Sequence, residues 1–309
     1  MGALIRTFRG YVNTWECDDM GHMNVQFHVG KTAEAASHLG NALGLGPSAV
    51  RERRLGVIAL SNHTNFRREL RVSDGLDIAS GVVALKTKTG EFIHVLRNAA
   101  TGEITGTAHA VVGLMDLEAR RLVPWPEDVL ERAVALTVPL PEEARARSAG
   151  TGTPLPDLTL TNADRWGLIE SGRSAVNPWE CDTMGHMNVR FYMGRLSDGA
   201  GHFWAALGMG RDRMMGRGIG SAVLEYHMTF RREVMAGALL VVRSAVRAVG
   251  RKTVGFAHWI IDAETGLTAA TAEGTATLMD LEARKATELD PADRARIQAM
   301  IRDPATLAG

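Results

Sequence analysis

Ile104, Ala108, Ala110, Val112 and Leu114 fall on one parity, the spacing of a strand with one face buried. Short apolar starts at residues 3–12 and 167–176 each lead through a polar turn into a stretch that Asn24 or Asn188 is placed to N-cap. Each stretch predicts a helix of about twenty residues ending near Gly44 or Gly208. Gly30, Ala33, Ala36 and Gly40 in the first, and Gly194, Gly199, Ala200 and Gly201 in the second, make these weak helix formers, so tight packing must hold them. Strand-like runs follow, with Thr101-Gly102 and Thr265-Gly266 as hairpin turns carrying glycine at positive φ. The pattern is one long helix followed by four antiparallel strands, twice. It predicts an α+β fold with the helix covering one sheet face.

The duplication is explicit in the letters. Residues 15–27 read WECDDMGHMNVQF and residues 179–191 read WECDTMGHMNVRF, differing only at Asp19/Thr183 and Gln26/Arg190. The offset of 164 returns at Phe66-Arg67-Arg68-Glu69 against Phe230-Arg231-Arg232-Glu233, and at residues 115–120 against 279–284. Eight of the ten histidines pair at this spacing. The expected domains are residues 1–124 and 164–289, joined by a helix and linker at 125–163 and followed by a C-terminal helix and tail at 290–309. The linker opens with a helix carrying Pro126 in its first turn, then becomes a Pro/Gly/Thr stretch that reads as exposed.

Charge narrows the partners. Lys+Arg and Asp+Glu both number 35, a balance that gives no general hold on a phosphate backbone, so nucleic acid is not expected. No apolar run reaches the length a bilayer needs, and the two cysteines, Cys17 and Cys181, form no disulfide framework. A cytoplasmic, non-membrane protein is the expectation.

The chemistry sits in the repeated block, at the turn into each long helix. A helix N-terminus offers free N–H groups and partial positive charge to an anionic oxygen. Asp18 and Asp182, His22 and His186, and Asn24 and Asn188 put a carboxylate, an imidazole and an amide within seven residues of that end, a set suited to acyl transfer. Each also has a structural reading. The Asp can bond loop amides, the His a carbonyl, the Asn can simply cap, and Gly21 and Gly185 can serve the turn alone. Cys17 and Cys181 read as small buried hydrophobes whose thiols are raised by the adjacent acids. Asp18, His22 and His28 match no standard zinc pattern, and His28 becomes Tyr192 in the second copy; no metal is expected. Glu34 and Asp198, inside the helices, are candidates to orient a catalytic group. The Arg67-Arg68 and Arg231-Arg232 pairs are candidates for binding phosphates, or are solvated strand edges.

The D-x-x-G-H-M-N block ahead of a long, small-residue helix resembles the 4-hydroxybenzoyl-CoA thioesterase branch of the hotdog superfamily. Its spacing is also similar to plant acyl-ACP thioesterases, which are tandem hotdogs. The resemblance implies two hotdog domains, each an antiparallel sheet wrapped around a central helix, paired within the chain as a pseudo-dimer, with further homo-oligomerisation allowed. It implies an acyl-CoA thioesterase with no cofactor beyond the CoA of its substrate. At matching positions it makes Asp18 and Asp182 nucleophile or general base, has the N–H groups at Val25 and Val189 polarise the carbonyl, and assigns roles to His22, His186, Asn24 and Asn188. Met20 and Met184 depart from the Asn of the plant enzymes. The rival expectations are a hotdog hydratase or dehydratase, and a non-enzymatic acyl-CoA-binding protein.

Overall fold

A computed structural model describes residues 2–152 and 154–302; Met1, Thr153 and the end of the expected tail at 303–309 lie outside the described residues. The chain divides into two compact units, Met1–Arg145 and Ala146–Gly309.

Unit 1 runs β1 (Ile5–Tyr11), α1 (Val25–Ala42), α2 (Pro47–Arg53), β2 (Leu55–Phe66), β3 (Gly75–Leu85), β4 (Thr89–Asn98), β5 (Ile104–Asp116), β6 (Arg121–Leu122) and α3 (Glu127–Leu136). Unit 2 repeats the order, preceded by a short α4 (Leu160–Arg165). It comprises β7 (Ile169–Ala175), α5 (Val189–Ala206), α6 (Arg211–Gly216), β8 (Ile219–Phe230), β9 (Leu239–Val249), β10 (Thr253–Asp262), β11 (Thr268–Asp280), β12 (Lys285–Thr287) and α7 (Pro291–Gln298). In unit 1 the strands lie in the order β1-β3-β4-β5-β2, and in unit 2 β7-β9-β10-β11-β8, with every neighbouring pair antiparallel. The apolar start of each copy is thus a fifth strand, added at the sheet edge.

The long helices are 18 residues each. Asn24 Oδ1 accepts the Gln26 N–H at 3.0 Å and Asn188 Oδ1 that of Arg190 at 3.1 Å, caps of about 1 kcal/mol each. Both helices end where Gly44 and Gly208 take φ of +82° and +70°, a left-handed step that favours glycine. The glycines of α5 allow close approach. A Cβ on Gly199 would stand 2.9 Å from the Ser171 carbonyl oxygen, so α5 lies directly on β7. Helix α3 packs against the C-terminal end of α1 through Val129, Ala133 and Leu136, and in unit 2 Arg296 of α7 donates to the Leu207 carbonyl at 3.0 Å. The helix after copy two therefore matches that after copy one. Among the described residues no helix is long and apolar enough to cross a membrane.

The connecting stretch is exposed at Ser148, residues 150–152, Pro154 and Asp157, as its composition predicted, but it is anchored by buried residues between them. Val138 and Ala144 are buried on Ile93 and Val95, on the face of the first sheet opposite α1. Leu155 and Leu158 are buried with Ala245, Ala257, Trp259 and Ile261 in unit 2, where Trp259 Nε1 donates to the Pro156 carbonyl at 2.9 Å. Each sheet is hydrophobic on both faces, and one helix covers only one. The stretch is needed as the second cover, and its prolines suit an extended strap that makes few backbone ladder bonds.

Candidate active site

The site begins with a rigid turn. Asn13 and Glu16 form a reciprocal capping box around the 3-10 turn Thr14–Glu16, with the Asn13 N–H donating to Glu16 Oε2 at 2.9 Å. The buried Glu16 carboxylate then meets Lys31 Nζ of α1 at 2.8 Å, and Lys31 also donates to the Tyr11 carbonyl at the end of β1 at 3.3 Å. In unit 2 Asn177, Glu180, Arg195 and Ala175 repeat the arrangement, with Arg195 to Glu180 at 2.6 Å. Burial alone would raise the Glu180 carboxyl, but the Arg195 guanidinium and the Asn177 amide hold it below its ordinary value. A strand end, a turn and a helix are thereby tied at one point. The sequence reading passed over these four residues. The signal was there: Glu16 recurs as Glu180 inside the block, and the positive charge of Lys31 recurs at Arg195 at the same offset.

The turn delivers the carboxylate. The Asp18 N–H donates to the His22 carbonyl at 3.0 Å and the Gly21 N–H to the Asp18 carbonyl at 3.0 Å, a tight loop that Gly21 closes at φ +78°. Asp18 Oδ1 accepts from the Met20 N–H at 3.0 Å, and Oδ2 lies 3.2 Å from His22 Nδ1. Asp182 Oδ1 accepts from the N–H groups of Met184 at 2.8 Å and His186 at 3.2 Å, while His186 Nε2 stands 3.6 Å from Glu233 Oε2. The loop-amide role and the placement of the carboxylate are thus one arrangement: amides on one oxygen fix where the other faces. The Met23 N–H bonds the Leu70 carbonyl at 2.7 Å, fastening the loop to the sheet side before the helix begins.

At the helix N-terminus, the Gln26 N–H is taken by the Asn24 side chain and the Phe27 N–H by the Asn24 carbonyl at 3.0 Å. Arg190 and Phe191 are engaged in the same way on Asn188. Val25 and Val189 are left as the half-buried first-turn N–H donors with no partner among the described residues. One turn in, His28 packs edge-on against Phe66 with ring centroids 5.2 Å apart, and Tyr192 does the same on Phe230 at 5.1 Å. Burial, reinforced by the nearby charges of His22 and Lys31, pulls the His28 imidazole down to about 4, so it is neutral at pH 7. Burial and the charges of Asp182, Glu233 and Cys181 push the Tyr192 phenol upward.

Other candidates fall elsewhere. The Cys17 thiol donates to the Asn13 carbonyl at 3.7 Å and is raised by burial and by the charges of Asp18 and Glu16, against the needs of a nucleophile. Glu34 and Asp198 are exposed on the helices. Arg67 donates from Nε and a terminal nitrogen to the Glu143 carbonyl at 3.0 and 2.8 Å, Arg231 to the Leu155 carbonyl, and Arg232 to both Asp157 oxygens at 3.1 and 2.9 Å. These three guanidinium groups clamp the strap, and the structure does not bring them to the helix N-terminus. Arg68 pairs with Glu103 at 3.2 Å at the surface. No group of three or more His, Cys, Asp or Glu among the described residues is placed to hold a metal ion.

Comparison with known proteins places the family and the fold. The profile of a thioesterase-like superfamily matches residues 12–133 and 176–297, once per unit. Among solved structures, a putative oleoyl thioesterase from Lactobacillus plantarum superposes with a TM-score of 0.70 at 14% identity, covering 89% of this chain and 96% of that one. A 12:0-ACP thioesterase from Umbellularia californica gives 0.65 at 15% identity over 89% and 94%. An acyl-ACP thioesterase from Bacteroides thetaiotaomicron gives 0.63 at 11% over 87% and 96%. At these identities the likeness is one of fold, and it extends over both units. A search of curated protein sequences gave no match.

Proposed function

The chain belongs to the thioesterase-like superfamily, and from that premise we propose that it hydrolyses acyl-CoA thioesters at two Asp-centred sites, one per unit. The observation that carries the reading is the carboxylate fixed by loop amides beside a helix whose first amide has no other partner, built identically in both units. The thioester carbonyl oxygen takes the Val25 or Val189 N–H, where the helix dipole favours the negative charge that develops on attack. Asp18 or Asp182 accepts the proton of an attacking water, or attacks the carbonyl carbon itself to give an acyl-aspartyl anhydride that water hydrolyses once the thiolate has left. The C–S bond then breaks, and the thiolate leaves as CoA once protonated. His22 and His186 steady the carboxylate loop. Neutral His28 and protonated Tyr192 bring no second negative charge to the reacting carbon.

The carrier is the finer part of the proposal. Arg68, the member of the two arginine pairs that is not clamped to the strap, is assigned to the CoA phosphates. Two of the similar structures are named for acyl-carrier-protein thioesters, so the test presents dodecanoyl-CoA and dodecanoyl-ACP side by side and follows release of the free thiol. Thiol release from the CoA ester, lost in the Asp18→Asn/Asp182→Asn double variant, is the expected result. Thiol released only from the carrier-protein ester would overturn the carrier assignment. Water added to an enoyl chain with the thioester intact would replace hydrolysis by hydration.

A further inference from the structure

Away from the loop, each unit buries a second polar feature that hydrolysis does not use. In unit 1 Thr7 Oγ1 donates to the Ile78 carbonyl at 3.3 Å and lies 2.6 Å from Ser80 Oγ, which lies 2.6 Å from His94 Nδ1. In unit 2 Ser171, Ser244 and His258 form the same chain, again with 2.6 Å steps. All six residues are buried. With the Thr7 proton on the Ile78 carbonyl, Ser80 donates to Thr7 and His94 donates from Nδ1 to Ser80. Burial keeps both rings neutral at pH 7, pulling His94 down to about 4 and His258 to about 3. In unit 1 the ring's Nε2 is then an acceptor, and neither His94 Nε2 nor His258 Nε2 has a hydrogen-bond partner among the described residues.

The hydroxyl–imidazole chain occurs in both units while its surroundings have been rebuilt. The neighbouring row of the sheet is Asn62–Ala110–Phe92 in unit 1 and Tyr226–Gly274–Phe256 in unit 2. Asn62 Oδ1 is buried without a partner. In unit 2, a Cβ on Gly274 would collide with the Phe256 ring and stand 2.9 Å from Tyr226, so the glycine makes room for both rings. From the helix side, Phe203 faces His258 at 5.7 Å between ring centroids. The equivalent position of α1 is Leu39. The hydroxyl–imidazole chain is constant and the side chains packed around it differ.

The feature lies on the helix side of each sheet, where Gly199 meets Ser171, ten residues into α5. That is roughly 15 Å along the helix axis from the N-terminal amides, so a thioester held at the helix start directs its acyl chain towards the imidazole. We propose that His94 and His258 are acyl-recognition residues whose Nε2 accepts a hydrogen bond from a hydroxyl on the acyl chain, making hydroxylated acyl thioesters the preferred substrate class. This rests on the thioesterase reading for the direction of the chain, though not for the existence of the anchor.

The test uses the full chain and a positional series of monohydroxylated dodecanoyl-CoA esters, ω-hydroxydodecanoyl-CoA included, against dodecanoyl-CoA. Thiol release gives kcat/KM, and calorimetry gives the binding of the matching free acids. At one chain position the hydroxyl should raise both by at least about tenfold. That ratio should fall to about one in the His94→Phe/His258→Phe variant and fall partway in Ser80→Ala/Ser244→Ala, which keeps the ring and removes its backing. A ratio within one preparation is insensitive to loss of folded protein, and the serine variant serves if the histidine variant does not fold. Equal kcat/KM and affinity across the whole series, or a preference that survives both variants, would overturn the anchor. If no CoA ester is hydrolysed, the hydrolysis proposal fails instead, and the calorimetric ratio still decides the anchor.

Discussion

Units 1 and 2 keep the same frame and change what the frame encloses. The capping box, the acid–base tie to the helix, the Asp loop with its positive-φ glycine and the hydroxyl–imidazole chain recur residue for residue. The side chains beside the Asp loop and the buried imidazole do not: His28 against Tyr192, Leu39 against Phe203, Asn62 against Tyr226. Residues that fix backbone geometry are interchangeable between copies only at the level of charge, as Lys31 for Arg195. Residues that line space have diverged in size and polarity. The difference teaches that the backbone frame around the Asp loop is held constant while the side chains beside it vary.

The largest expected effect measures how much of the chemistry each unit contributes. Asp18→Asn and Asp182→Asn preserve shape and remove the base, so each should take away its own unit's turnover by about 10²–10⁴-fold, leaving the double variant close to inactive. Unit 2, which carries Tyr192 beside its carboxylate, is expected to supply the greater share. Steady-state thiol release from both single variants checks this; a silent Asp182→Asn would reverse the ranking.

Next in size is the tie between turn and helix. Lys31→Met leaves the Glu16 carboxylate buried without its cation, and Arg195→Met does the same to Glu180. Removing one partner of such a pair costs about 3–5 kcal/mol, read as a lowered midpoint in denaturant unfolding. Lys31→Arg, which copies unit 2 into unit 1, should cost far less. If it costs as much as Lys31→Met, the two ties are not equivalent.

A smaller effect separates the units by pH. The buried imidazoles of His28 and His94 in unit 1 and His258 in unit 2 titrate well below the ordinary value of 6.5. The fold thus favours their neutral forms. The stability they contribute is complete above 6.5 and is lost as pH falls towards about 4 for the first two and about 3 for the third, because the unfolded chain takes up the proton first. Unit 1, with two such groups against one, should lose hydrogen-exchange protection first between pH 7 and 5. His28→Tyr should bring the two units level.

The repeat made the architecture readable, since motif blocks recurring at a 164-residue offset assign the elements of one copy to the other. Asn24 and Asn188 were legible as caps because capping depends on a single side chain and its next neighbours, and the Asp loops were legible for the same reason. What escaped depends on distant partners. Lys31 meets Glu16 across a turn, His94 meets Ser80 across strands, and the segments at 138–144 and 155–158 each pack on the sheet of their own unit although the composition is that of a solvated linker. Composition reports what a segment can do alone; the uncovered sheet face decided what this one does. The arginine pairs show the same limit, for their phosphate-binding chemistry is indistinguishable in sequence from the task of clamping the strap through Glu143, Leu155 and Asp157.

The smallest expected effect is at the cysteines, where the two units should not differ. Cys17 Sγ and Cys181 Sγ donate to the Asn13 and Asn177 carbonyls at 3.7 and 3.8 Å, both at the start of the turn that carries the carboxylate. A thiol raised by burial and by Asp18 and Glu16 supplies little thiolate at pH 7. Serine keeps a donor for the same carbonyl and removes the sulfur. Cys17→Ser and Cys181→Ser, singly and together, should therefore change kcat/KM by no more than about twofold, the scale of a substitution that breaks no named interaction. A loss of turnover in either single variant with an unchanged unfolding midpoint would mark that unit as thiol-dependent, ending the claim that the two share one chemistry.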